Sequence, residues 1–138
     1  MSVRTLRTMA TIMRPPLRRM TPMVHRQFSN DSSLELVKGM SDWEAFLEKE
    51  KPRAAYFTAS WCGPCQQIKP IYEAMAAHED NQGISFAKID VDEARDVAGA
   101  VGIKSVPTFI FMGRDGQVAS HFAGADTKQL EASIAKLK

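Results

Sequence analysis

Cysteine is scarce in this 138-residue chain: Cys62 and Cys65 are the only two, so a framework of several disulfides is excluded. The three histidines, His25, His78 and His121, are scattered without ligand spacing, and a Cys-x-x-Cys alone is half a zinc site. There is no run of 7–15 apolar residues to serve as a secretory signal. Nothing approaches the roughly 20 residues of a membrane-spanning helix either, so membrane insertion is not expected. Internal repeats are lacking, and the first 28 residues contain no acid at all.

That missing acid divides the chain. Residues 1–28 carry six arginines, leaving 12 basic against 16 acidic residues beyond, a net of −4. A basic leader precedes a mildly acidic domain. Arg4, Arg7, Arg14 and Arg18 share one helical face and Val3, Leu6, Ala10, Met13 and Leu17 another, with Pro15 and Pro16 interrupting the helix. An amphipathic, arginine-rich, acid-free start is read by organellar import, and the shortage of serine favours the mitochondrion over the chloroplast. "RQFSN" (Arg26 to Asn30) resembles a mitochondrial processing site. The expected division is a targeting presequence over 1–28, disordered or helical, and a domain over 29–138 beginning at Ser29. The alternative is a basic tail for acidic surfaces or nucleic acid, but no aromatics are interleaved with the arginines to stack on bases, so nucleic-acid binding is not expected.

Beyond the leader, strands and helices alternate. Ser41 or Asp42 can cap a helix running to about Glu50, with Trp43, Phe46 and Leu47 at core spacing. "RAAYFTA" has strand character. "QQIKPIYEAMAAH" is helical, with Ile68, Ile71, Tyr72 and Met75 on one face and Pro70 as a kink. "ISFAKIDV" is an apolar, β-branched strand, and "DEARDVAGAVG" a short helix closed by Gly99 or Gly102. "PTFIFM", a turn at "GRDG" and "QVASHFAG" form a hairpin. The last helix starts at Asp126 or Thr127 and buries Leu130, Ile134 and Leu137. The pattern predicts a mixed sheet with helices on both faces. Neither "GRDG", which has no following helix, nor the acidic "DVDEARD" has the form of a phosphate or calcium loop.

What the chain does have is "WCGPC", at the end of a strand and the start of a helix. A structural staple is a poor reading, since closing so short a loop constrains the unfolded chain very little. Redox chemistry fits better. Cys62 at a helix N-terminus has unpaired N–H groups and the helix dipole to favour its thiolate, and Cys65, one turn on, can close a disulfide with it.

From about residue 34 to 138 the chain resembles the thioredoxin family. "WCGPC", Pro70 inside the following helix, "SVPT" around Pro107 and Gly124 in "FAGAD" carry the likeness. The strings "YFTASWCGPC" and "GADTKQL", with the leader, are similar to the plant mitochondrial, type-o members. The resemblance implies the α/β thioredoxin fold and protein-disulfide reduction. In that chemistry Cys62 attacks a client disulfide and Cys65 resolves the mixed disulfide, leaving a Cys62–Cys65 bond. It implies further that Gly63 and Pro64 tune the potential toward reduction and that Pro107 is cis. Trp61, Val106, Pro107 and Gly124 then form the rim that meets clients. Plainer readings are ordinary packing for Trp61 and Val106, and a turn requirement for Gly124. The resemblance implies no bound cofactor and no metal, with electrons from NADPH through thioredoxin reductase, clients such as peroxiredoxins, and a monomer. It places the protein in the mitochondrial matrix, the alternatives being the chloroplast or a minor cytosolic or nuclear pool. A second class of function is a thioredoxin-fold binding module, or a dimer bridged by a metal cluster, with little reductase activity.

One position departs from the family. Most thioredoxins carry a buried aspartate six residues before the first cysteine, where this chain has Tyr56. A phenol, with its ordinary pKa near 10, is a poor base at neutral pH. Either Tyr56 orients a hydrogen bond beside the site or it is core packing with its hydroxyl satisfied nearby. Lys88 matches the lysine that accompanies the usual aspartate, and without that acid reads as a solvated strand-end residue.

Overall fold

The computed structural model describes residues 34–138. The presequence expected over 1–28, its helical faces and the processing site before Ser29 lie outside the described residues. In chain order the elements are β1 (Leu34–Val37), α1 (Met40–Leu47), β2 (Arg53–Thr58), α2 (Gly63–Ala77), β3 (Ser85–Asp90), α3 (Arg95–Val101), β4 (Thr108–Met112), β5 (Val118–Ala123) and α4 (Thr127–Leu137). A single 3₁₀ turn, Glu79–Asn81, follows α2. The strands form one mixed sheet in the order β1-β3-β2-β4-β5. β1, β3 and β2 run parallel, and β4 and β5 antiparallel to their neighbours.

Strand alternation sorts the core into two layers. Ala54, Tyr56, Phe86, Phe109 and Phe111 face α2 and α4, which contribute Ile68, Tyr72, Leu130 and Ile134. Ala55, Phe57, Ala87, Ile89 and Met112 face α1 and α3, which contribute Trp43, Phe46 and Val97. The central strand β2 is buried along its whole length, as a strand covered on both faces must be. Helices therefore cover both faces, as the pattern predicts.

Several local expectations hold. Asp126 is the N-cap of α4, accepting from Gln129 N–H at 3.1 Å. Of the two glycines after β3, Gly102 closes α3 in the left-handed region (φ 85°), and Gly99 stays inside the helix. The hairpin turn falls on Gly113–Gly116, with Gly116 at φ 86°.

Others need correcting. β1 was not evident in the sequence. It is four residues of an edge strand, half-exposed, and it exists through pairing with β3, whose partners lie 52 residues further along. Neither Ser41 nor Asp42 caps α1. Gly39 is the N-cap, with extended backbone and no side-chain cap bond. Asp42 reaches back to Lys38 N–H at 3.0 Å, and Asp96 of α3 accepts from Met40 N–H at 3.1 Å. A carboxylate from another helix thus takes a donor that the first turn leaves open. The helix ends at Leu47 rather than Glu50, and Leu47 is 38 % exposed.

The end of the sheet remote from the cysteines is tied by Arg53, a buried cation with no acidic partner among the described residues. Its guanidinium donates to the carbonyl oxygens of Lys49, past the end of α1, and of Gly113 (3.3 Å) in the hairpin turn.

Candidate active site

β2 delivers the chain to the active-site edge, where Cys62 N–H bonds the carbonyl of Ala59 at 3.2 Å and turns the backbone into α2. Cys62 is the N-cap residue of α2, and Pro64 sits in the first turn, where its missing N–H costs nothing. The Cys62 Sγ accepts the Cys65 N–H at 3.2 Å. The two cysteines are joined as a disulfide, with Cα atoms 5.3 Å apart. Their exposure differs: Cys62 keeps 5 % of its surface, Cys65 none.

Of the residues expected around the cysteines, Val106 is in contact with them. The Val106–Pro107 peptide is cis. Cys62 Sγ lies 3.6 Å from the Val106 carbonyl oxygen, and Val106 packs against the small apolar cluster of Ala59, Cys62 and Cys65. Gly124 N–H donates to the Pro107 carbonyl at 2.8 Å. Gly124 has φ 108°, and a Cβ there would meet nothing within 4 Å. Backbone conformation, not crowding, is therefore what demands glycine. Gly63 is exposed, in right-handed helical backbone, with open space around it. Trp61 is 69 % exposed, its indole N–H donating to Asp92 at 2.8 Å. Sequence reasoning missed Asp92, because it belongs to the acidic loop after β3 and meets Trp61 only in the fold. Beside Trp61, a cleft of about 150 Å³ is bounded by Val91, Ile103, Lys104, Ser105 and Val106.

The family model for thioredoxin matches residues 35–136. The chain belongs to the thioredoxin family. It is 41 % identical to the thioredoxin of Pongo abelii over 107 residues, 74 % of this chain and 99 % of that one. Among solved structures it is similar to Fasciola hepatica thioredoxin, with TM-score 0.70 and 32 % identity, covering 75 % of this chain and 99 % of the other. It is also similar to mitochondrial thioredoxin 3 of Saccharomyces cerevisiae in its oxidised form, with TM-score 0.68 and 28 % identity, covering 77 % and 97 %. A thioredoxin that keeps both cysteines is a protein-disulfide oxidoreductase, and this one does.

Tyr56 is fully buried, stacked on Phe109 with ring centroids 5.0 Å apart and packed on Tyr72 at 4.9 Å. Its hydroxyl donates to the Cys65 carbonyl oxygen at 2.8 Å. Burial pushes the phenol above its ordinary pKa, the neighbouring Thr58 side chain opposes this, and the Glu73 carboxylate adds to it. Both sequence readings thus meet in one residue: Tyr56 is core packing, and its hydroxyl is satisfied by the backbone of the resolving-cysteine position. The hydroxyl proton is committed to a carbonyl, so the phenol is not placed to accept another at neutral pH.

Lys88 needs a correction. It lies within β3, not at a strand end, in register with Tyr56 on the α2 face, and its ammonium is 3.8 Å from Glu73 of α2. Toward the cysteines from this pair, Thr58, Ser60, Gln66, Lys69, Lys88 and Asp90 bound an open polar cleft of about 150 Å³. Among the described residues, no group of three or more His, Cys, Asp or Glu is arranged to hold a metal ion, and no helix is long and apolar enough to cross a membrane.

Proposed function

We propose that this chain is a mitochondrial thioredoxin that reduces protein disulfides in the matrix and maintains the organelle's redox balance. The observation that carries the division of labour is the asymmetry of the two sulfurs. Cys62 keeps 5 % of its surface and its Sγ accepts a helix N-terminal N–H, while Cys65 is wholly enclosed. A thiolate at Cys62 is stabilised by that N–H and by the positive end of α2. Cys62 attacks one sulfur of a client disulfide, and the other client sulfur leaves as thiolate. Cys65 then attacks Cys62 sulfur, the bond to the client breaks, and the Cys62–Cys65 disulfide remains.

Trp61, Val106, Pro107 and Gly124 form the rim against which an extended client segment lies, with Gly63 and Pro64 setting the first turn and hence the potential. Thioredoxin reductase, using NADPH, returns the pair to dithiol, and peroxiredoxins are among the clients. The protein acts as a monomer without a bound cofactor. The arginine-rich residues 1–28 serve as the presequence, removed before Ser29, and the likeness to a yeast mitochondrial thioredoxin supports that location.

The test is insulin-disulfide reduction by the protein starting at Ser29, with NADPH and thioredoxin reductase, beside a Cys62→Ser variant. Turnover that vanishes in the variant supports the reductase. Absence of turnover with both thiols free would move the reading to a redox-independent binding module or cluster-bridged dimer. Import of the full chain into isolated mitochondria, with the new N-terminus sequenced, tests location and cleavage.

A further inference from the structure

Resolution of the mixed disulfide requires a fully buried thiol, Cys65, to lose its proton, and the residue in the family's usual acid position has its own proton committed elsewhere. The α2 face of β3 supplies another carboxylate. Along that face Phe86, Lys88 and Asp90 succeed one another. Lys88 stands opposite Tyr56, and Asp90 opposite Thr58, one step nearer the cysteines. Asp90 borders the polar cleft, whose 150 Å³ has room for a few waters. Ala59 borders both this cleft and the apolar cluster that holds Cys62 and Cys65, and Gln66, the residue after Cys65, lines the cleft.

We propose that Asp90 receives the Cys65 proton through water in this cleft. The inference rests on the exchange reading above. The Cys65 S–H gives its proton to a water, which passes one to the Asp90 carboxylate. Cys65 thiolate attacks Cys62 sulfur, the Cys62–client bond breaks, and its electron pair leaves on the client thiolate. Asp90 returns the proton to solvent or to that thiolate.

The surroundings favour Asp90 over the other acids. Glu73 is eight residues beyond Cys65 on α2, about 12 Å along the axis, and faces Lys88. Asp92 is bonded to the Trp61 indole. Asp90 Oδ1 accepts the backbone N–H groups of Asp92 (2.8 Å) and Glu93 (3.4 Å), and Oδ2 takes part in neither bond. The remaining charged groups on the cleft, Lys69 from α2 and Lys88 from β3, are cations. They set the sign of the test. If Asp90 acted only through its field, removing its charge would leave two lysines to favour the thiolate, and resolution would speed up.

Asp90→Asn keeps an oxygen for the two turn amides and removes the proton acceptor. The reduced protein is mixed in a stopped-flow instrument with an aryl disulfide that releases a coloured thiolate at each step, first on Cys62 attack, then on Cys65 attack. Asp90→Asn is expected to leave the first phase within about twofold and to slow the second at pH 7 by about a hundredfold, the lower end for general-base catalysis. The log rate of the second phase should then climb by nearly one per pH unit, following hydroxide. In a Tyr56→Asp background, where a buried carboxylate is restored, adding Asp90→Asn should cost less than about threefold. A second phase that is unchanged or faster in Asp90→Asn overturns the proposal, as does an equal loss in the Tyr56→Asp background. If Tyr56→Asp does not fold, the rate and pH profile of the single variant decide. A missing first phase in the unaltered protein refutes the exchange reading itself and the proposal with it.

Discussion

Tyr56→Phe isolates one atom at the back of the site. The ring stays, so the stacking on Phe109 and the contact with Tyr72 are kept, and only the donor to the Cys65 carbonyl is lost. Both partners are enclosed, so no water replaces the hydroxyl without cost. A buried neutral hydrogen bond contributes about 0.5–1.5 kcal/mol net, and an orphaned acceptor would raise the loss to about 1–3 kcal/mol. Cys65 is in the first turn of α2, and Lys69, four residues on, has an N–H for the same carbonyl. The carbonyl is therefore not orphaned, and the expected loss is about 1 kcal/mol. For a domain of this size that lowers Tm by roughly 4–8 °C. Urea unfolding of the oxidised form gives the stability, and the aryl-disulfide stopped-flow experiment gives the two exchange phases. Both phases should change by less than about twofold, because the hydroxyl is neither acid nor base in the chemistry. A tenfold slower second phase, without a matching loss of stability, would refute this and make Tyr56 part of the proton route.

The alkaline limb of stability should bear the mark of both buried tyrosines. Burial raises Tyr72 well above the ordinary phenol range and Tyr56 above it, so the folded state holds these protons more tightly than the unfolded chain. Stability is thus fully present below pH ~10 and falls as pH rises beyond it. Urea midpoints at pH 9 and 11 should diverge, and less so in Tyr72→Phe, which also loses the bonds to Ala54 (3.0 Å) and Ala87 (2.9 Å) that tie β2 to β3. Arg53→Met, which strands the carbonyls of Lys49 and Gly113, should cost about 1–3 kcal/mol by urea unfolding with insulin reduction unchanged; a neutral result would mean the carbonyls find water. Asp92→Ala releases the Trp61 indole. It should raise KM for a protein substrate by about twofold to tenfold, one hydrogen bond's worth, with kcat unchanged; an unaltered KM would remove Trp61 orientation from client recognition.

Short-range physics made much of this protein legible from its residues. Cys62 and Cys65 stand at the junction of an apolar strand and a helix because Gly63 and Pro64 belong in a first helical turn. Asp126 caps α4 through a bond to a residue three positions on, and Gly102 ends α3 because only glycine takes φ 85° without strain. Each of these depends on neighbours within one turn, so periodicity and residue type suffice to read them. What escaped depends on partners far along the chain. β1 is a strand only because β3 pairs with it, α1 borrows Asp96 for its first turn, and Trp61 is pinned by Asp92. Above all, the substitution at position 56 was visible, but its meaning was not. That the hydroxyl meets the Cys65 carbonyl, that Lys88 turns to Glu73, and that Asp90 faces the cleft beside them are consequences of register between β2 and β3 and of how α2 lies across them. Register is a property of two strands at once, and no single stretch of sequence carries it.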